Sequence, residues 1–159
     1  AVLLALGREV PAVPGGASVV MPIISLLGLG VALYLTYVET QNVAAVCGPV
    51  GDCNAVQASP FATLFGVLPV GLLGALGYIG ILAAWAVARF WPSLARLAGP
   101  ALLGMALFGV IFSIYLTYLE LFIIKAVCLW CLSSAVLISL VLVLAVGPAA
   151  AALAGGDED

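Results

Sequence analysis

Residues 53–88 read CNAVQASPFATLFGVLPVGLLGALGYIGILAAWAVA, 36 positions without one charged side chain between Asp52 and Arg89. A helix needs about 20 apolar residues to cross roughly 30 Å of hydrocarbon at about 1.5 Å per residue. The interval is too long for one upright helix and too short for two with a turn, so part of it must lie at a membrane surface. Its more polar half, Asn54 to Thr63, suits a short interfacial helix over residues 54–65, and its apolar half a span over residues 66–88. Outward from there, spans are expected at residues 18–38, 97–119 and 127–146, the last ended by Gly147-Pro148. The whole chain is 66% hydrophobic and 7% charged, whereas soluble domains carry about a quarter charged residues. The expected fold is therefore an all-α membrane protein. It is a single integral membrane domain over residues 1–159, a four-transmembrane-helix bundle with a short interfacial helix in the first outer loop.

Arg8 precedes the first span and Arg89 and Arg96 flank the loop between the second and third, whereas the other two loops together hold only Lys125. Basic residues collect on the cytoplasmic side, so both termini are expected inside. The acidic tail Asp157-Glu158-Asp159 weighs little in that rule. Residues 1–16, broken by Arg8, Glu9, Pro11, Pro14 and Gly15-Gly16, lack the basic start of a signal peptide and read as a cytoplasmic lead-in. The loops carrying cysteines then face outward.

A repeat supports the same placement without reference to charge. Tyr34-Leu-Thr-Tyr-Val-Glu39 is matched by Tyr115-Leu-Thr-Tyr-Leu-Glu120, and eight residues after each Glu comes a cysteine, Cys47 and Cys128. Spans one and three thus end alike, as parallel helices in equivalent positions would, with Glu39 and Glu120 at one outer boundary.

A net charge of −3 with four basic residues gives no basic patch for a nucleic-acid partner. The absence of histidine removes Ser-His-Asp and Cys-His catalysis and the usual imidazole metal sites. The chemistry left is mostly that of sulfur. Cys47 and Cys53 form one pair in the first outer loop, and Cys128-Leu-Trp-Cys131 a second at the mouth of the fourth span. A CxxC at a helix start gains thiolate character from unpaired N–H groups and the helix dipole. Lys125 would add to this if the helix extended one turn further back. Three arrangements are open: static disulfides, a four-thiolate zinc or iron–sulfur site, and a dithiol relay. Only the relay uses the easily reduced CxxC ring, and a buried thiol pair in a bilayer needs a lipid-soluble electron acceptor such as a quinone.

The order of these pairs, with Val56, Ser59 and Phe61 after Cys53, Gly66 and Pro69 entering the next span, Gly74 and Tyr78 within it, and Cys128-x2-Cys131 opening the last, resembles the vitamin K epoxide reductase family over residues 20–146. The resemblance implies a four-helix bundle around a quinone, ubiquinone or menaquinone, as bound acceptor and no metal, capped by the first outer loop. It implies that Cys131 faces the quinone, that Cys128 and Cys53 exchange with each other, and that Cys47 meets a protein partner. Ser59, Phe61, Val70, Gly74, Tyr78 and Ala135 become candidate quinone contacts. Val70 and Ala135 stand where vertebrate members carry an Asn and a Tyr that hold the quinone oxygens, which weighs against vitamin K epoxide as substrate. Many bacterial members carry a fused thioredoxin-like domain that these 159 residues lack, so the expected partner is a separate thioredoxin-like protein. The expected setting is a bacterial cytoplasmic membrane with the cysteines on the periplasmic or extracellular face. A membrane protein without enzymatic activity, held by loop disulfides, is the alternative.

Smaller features complete the reading. Gly71, Gly74, Gly77 and Gly80 recur every third residue, as helix-packing positions do. Ser133 and Ser134 are expected to bond back to their own helix. Trp85, Trp91 and Trp130 read as interfacial belt residues.

Overall fold

The computed structural model describes residues 15–154. Arg8 and the rest of the lead-in before Gly15, and the acidic tail, lie outside the described residues. Four long helices dominate: α1 (Gly15–Gln41), α3 (Val70–Phe90), α4 (Pro92–Tyr118) and α5 (Leu129–Ala154), with a five-residue α2 (Cys53–Gln57) between the first two. Each long helix is apolar and long enough to cross a membrane. They close a ring in which α1 meets α3, α3 meets α4, α4 meets α5 and α5 returns to α1. Leu26, Ile111 and Val143 are more than half exposed on the outer faces of their helices. In lipid this is the expected arrangement, because backbone polar groups are satisfied inside each helix and apolar side chains can face out. The protein is a four-helix multi-pass membrane bundle.

The junctions follow local chemistry. Asn42, at φ 52°, ends α1 in the left-handed conformation that Asn tolerates. The capping segment is less helical than expected. After α2, Ser59-Pro60 breaks the helix, a 3₁₀ turn follows at Pro60–Ala62, and β1 (Thr63–Leu64) pairs antiparallel with β2 (Leu68–Pro69). Phe65 at φ 53° and Gly66 at φ 72° form the reversal, so the span expected from residue 66 begins at Val70. Pro69, without an N–H, stands just before it. At the far side, α4 continues as a π-helical segment, Leu119–Ile124, until Lys125 at φ 58° turns the chain. Pro148 does not end the fourth helix, which runs on to Ala154. A proline inside a membrane helix is tolerated where a neighbouring helix supports it, and here a Cβ on Gly99 would come within 2.8 Å of the Pro148 carbonyl oxygen.

Two buried clusters fill the ring. One, at mid-bundle, gathers Ala75, Tyr78, Ile81, Leu102, Ala106 and Val141. The other, at the end bearing the cysteines, contains Leu35, Val38, Ala45, Cys53, Val56 and Cys128. The glycine stripe of α3 divides between two uses. A Cβ on Gly71 would meet the Thr36 nitrogen at 2.7 Å, so this glycine lets α1 and α3 touch by their backbones, whereas Gly77 has nothing within 4 Å. Gly71→Val is expected to destabilise the bundle by about 1–3 kcal/mol, the usual cost of overpacking. Gly77→Val should leave stability near that of the parent. Unfolding of both variants in detergent micelles checks this, and equal losses would refute the division.

Candidate active site

The loop between α1 and α2 clasps the start of α5. Asp52 donates its N–H to the Val127 carbonyl at 3.0 Å. Gly51, at φ 102°, sits so close that a Cβ would lie 2.7 Å from the same oxygen. Trp130 donates its indole N–H to the Val46 carbonyl at 2.8 Å and packs on Tyr34 with ring centroids 4.8 Å apart. The Tyr34 hydroxyl in turn accepts from the Val46 N–H at 2.9 Å. Trp130 is therefore a clamp between loop and helix, where the sequence pattern pointed to a belt residue. Within the loop, Cys47 and Cys53 are disulfide-bonded with Cα atoms 5.9 Å apart. Asp52 caps α2 by accepting from the Ala55 N–H at 3.0 Å.

Cys128 stands at the N-cap of α5. Its carbonyl accepts from the Leu132 N–H at 3.0 Å, and its sulfur accepts from the Cys131 N–H at 3.3 Å, as a capping side chain does. Both Cys128 and Cys131 are free thiols, Cys128 fully buried in one cluster with Cys53 and Cys131 half-buried. A hydrogen bond from the Cys131 thiol holds the Cys128 thiol below the ordinary cysteine value. The Cys131 and Trp130 N–H groups help, while burial and the Glu120 carboxylate push the other way. Lys125 takes no part in this; it is exposed and lies before the helix begins.

Between the long helices lies a cleft of about 130 Å³, partly open to the surroundings. Its wall is mainly apolar, with Phe108 and Phe112 from α4 and Tyr78 from α3, and Cys131, Ser134 and Ile138 bound it from α5. A smaller cavity of about 30 Å³ lies under the capping segment, and Ser59, Phe61, Val70 and Cys131 line it. Cys131 thus borders both cavities, while Cys128 borders neither.

The other expected contacts divide. Val70 lines both cavities, and Gly74 and Tyr78 line the larger. Tyr78 is almost wholly buried and donates its hydroxyl to the Ser134 carbonyl at 3.0 Å, tying α3 to α5. Ser59 donates to the Val56 carbonyl at 2.6 Å. Ala135 is half-buried and lines neither cavity; Ser134, one position earlier, does. Ser133 bonds back to the Leu129 carbonyl at 2.8 Å as expected, whereas the Ser134 hydroxyl meets Tyr78 at 3.2 Å.

Two carboxylates complete the wall. Glu39 and Glu120 both line both cavities. Glu39 Oε2 accepts from the Gly71 N–H at 3.1 Å, and Glu120 Oε2 from the Cys128 N–H at 3.1 Å. Each carboxylate therefore holds the start of the span that follows it. Thr36 and Thr117 bond back to Ala32 and Ser113 at 2.7 and 2.8 Å, so the sequence repeat is repeated in structure. The repeat was the signal that could have marked both glutamates as site residues. Glu120, Cys128 and Cys131 present one oxygen and two sulfurs within 4.8 Å of one another, a donor set that a thiophilic cation would accept. A four-sulfur centre is not formed here, since Cys47 and Cys53 are bonded to each other.

The arrangement sets a disulfide loop beside the start of α5 and one thiol of the CxxC pair at the wall of an apolar cleft. The family model for the vitamin K epoxide reductase family, whose members are oxidoreductases of thiols and quinones, matches residues 19–146. With most of its length matched and with its cysteine pairs in this order, the chain belongs to the vitamin K epoxide reductase family.

Proposed function

We propose that the protein oxidises the thiols of a thioredoxin-like partner and delivers their electrons to ubiquinone or menaquinone. The reaction would run on the outer face of a bacterial cytoplasmic membrane. The observation that carries this reading is the division of labour at the CxxC pair: Cys131 borders the apolar cleft, while Cys128 lies in one buried cluster with Cys53. In the first half of the cycle the dithiol at Cys128 and Cys131 gives two electrons and two protons to the quinone and closes to a disulfide; quinol leaves. In the second half, Cys53 attacks Cys128, and Cys47 closes on Cys53. The partner protein then reduces the loop pair and leaves oxidised.

The chain's own groups serve this sequence. The lowered Cys128 thiol suits exchange, since the thiolate is the nucleophile. Phe61, Phe108 and Phe112 offer apolar and aromatic surface to a flat ring. The side chains at Val70 and Ala135 bring no hydrogen-bond donor, which favours a plain quinone over an epoxide held by polar anchors. The alternative of structural disulfides accounts for the loop pair but gives two free thiols, one of them at the cleft, nothing to do. Titration of free thiols in the purified protein, with and without a quinone, separates the two. The relay requires that quinone consume the Cys128–Cys131 dithiol. Thiols that survive an excess of quinone would refute it.

A further inference from the structure

The inference drawn here rests on the quinone reading above and concerns its protons. Oxidising Cys128 and Cys131 breaks two S–H bonds and forms one S–S bond; the electron pair enters the quinone, and a proton must reach each of its two oxygens. The cleft is mainly apolar, so proton carriers must be built into its wall. Glu39 and Glu120 are ionisable groups at that wall, each fixed there by a backbone N–H at a helix start. Intramembrane carboxylates are costly and mark functional positions. Glu120 lies within 4.8 Å of both sulfurs.

The smaller cavity links the two carboxylates. Glu39, Gln57, Glu120 and Cys131 all border it. Gln57 Oε1 is buried there without a protein hydrogen-bond partner. A buried polar atom in that position is normally satisfied by water, and a chamber of about 30 Å³ bordered by two carboxylates has room for one. The chamber thus joins the two carboxylates beside the cleft that would take the ring.

We propose that Glu120, water held at Gln57, and Glu39 form the proton path of quinone reduction. Glu120 takes the proton of Cys131 as that sulfur gives up its electrons, and hands it to the nearer quinone oxygen. The proton of Cys128 follows onto the vacated Glu120 and crosses the chamber to Glu39, which serves the second oxygen. Both carboxylates end as they began, and the products are one disulfide and one hydroquinone.

The test is single-turnover reduction of a short-chain quinone by the full chain in detergent micelles. The CxxC pair is reduced beforehand, and the reaction is followed by quinone absorbance in H₂O and D₂O across pH. Glu120→Gln should slow the step by about 100-fold or more, the usual loss on removing a proton-transfer group, and flatten its pH profile. Glu120→Asp should recover much of the rate. Glu39→Gln and Gln57→Leu should slow it by smaller factors, and wild type should be slower in D₂O. Exchange between Cys53 and Cys128 should remain at its wild-type rate in Glu39→Gln. Wild-type rates in Glu39→Gln and Gln57→Leu would overturn the path. So would an equal loss of thiol exchange and quinone reduction in Glu120→Gln, which would reduce Glu120 to a support for the Cys128 N–H. If wild type itself reduced no quinone, the functional reading would fall with it.

Discussion

Cys131→Ala is expected to lower quinone reduction by a factor on the order of a thousand or more, the scale on which removing the reacting sulfur or oxygen of an enzyme is felt. Cys131 borders both cavities, three residues along α5 from Cys128, which is about 4.5 Å deeper at the helical rise. In the variant Cys128 loses the hydrogen bond from the Cys131 thiol but keeps its place: it still caps α5, still donates its N–H to Glu120, and still lies in one buried cluster with Cys53. It remains able to exchange with Cys53, and the resulting mixed disulfide has no neighbouring thiol on the membrane side to resolve it. Mass-spectrometric mapping should therefore find Cys53 joined to Cys128 in Cys131→Ala. Free Cys128 together with normal quinone turnover would reverse the assigned order.

Cys47→Ala should lose turnover with a protein partner while keeping much of its quinone reduction with a small artificial dithiol. Cys47 is half-buried in a loop whose flanking residues Val46 and Val50 are well exposed, so it is the sulfur of the loop pair that a protein can reach; Cys53 is fully buried. The variant must also keep the loop in place for the test to be clean. The lost disulfide spans only six residues of sequence, and short closed loops gain least from a cross-link. The clasp retains the Asp52–Val127 and Trp130–Val46 hydrogen bonds, and Asn54 still bonds the Ala45 backbone at 2.8 Å. Quinone absorbance with dithiothreitol, set beside oxidation of a thioredoxin-like protein, reads the two activities separately. Loss of both would show that the small dithiol also needs Cys47.

The four spans are legible in the sequence because lipid imposes length and apolarity on any helix that crosses it. The repeat ending at Glu39 and Glu120 carries information of another kind, since the structure gives both glutamates the same task of holding the next helix start. The hairpin at Thr63–Pro69 is hidden, because its strands and its turn are as apolar as a span and its reversal depends on the backbone angles of Phe65 and Gly66. Gly71 and Gly77 look alike in a stripe, yet one meets a neighbouring backbone and the other a cleft. That difference is set by which side of α3 faces α1. Ala135 and Ser134 differ by one position, and one position turns a helix by about 100°, enough to move a side chain off the cleft wall. Gln57 carries no sequence signal at all; its buried, unpaired oxygen exists only once the capping segment is folded over Glu39 and Glu120.

The central claim is that electrons pass from protein thiols to quinone through the Cys128–Cys131 pair. Anaerobic mixing of the protein, its CxxC pair reduced and its loop pair oxidised, with a limiting amount of quinone tests it most directly, with absorbance and disulfide mapping read on the same sample. The account predicts that each quinone lost is matched by one new Cys128–Cys131 disulfide, as a two-electron exchange requires. Quinone left unreduced, or reduced while Cys128 and Cys131 both remain free, would contradict it.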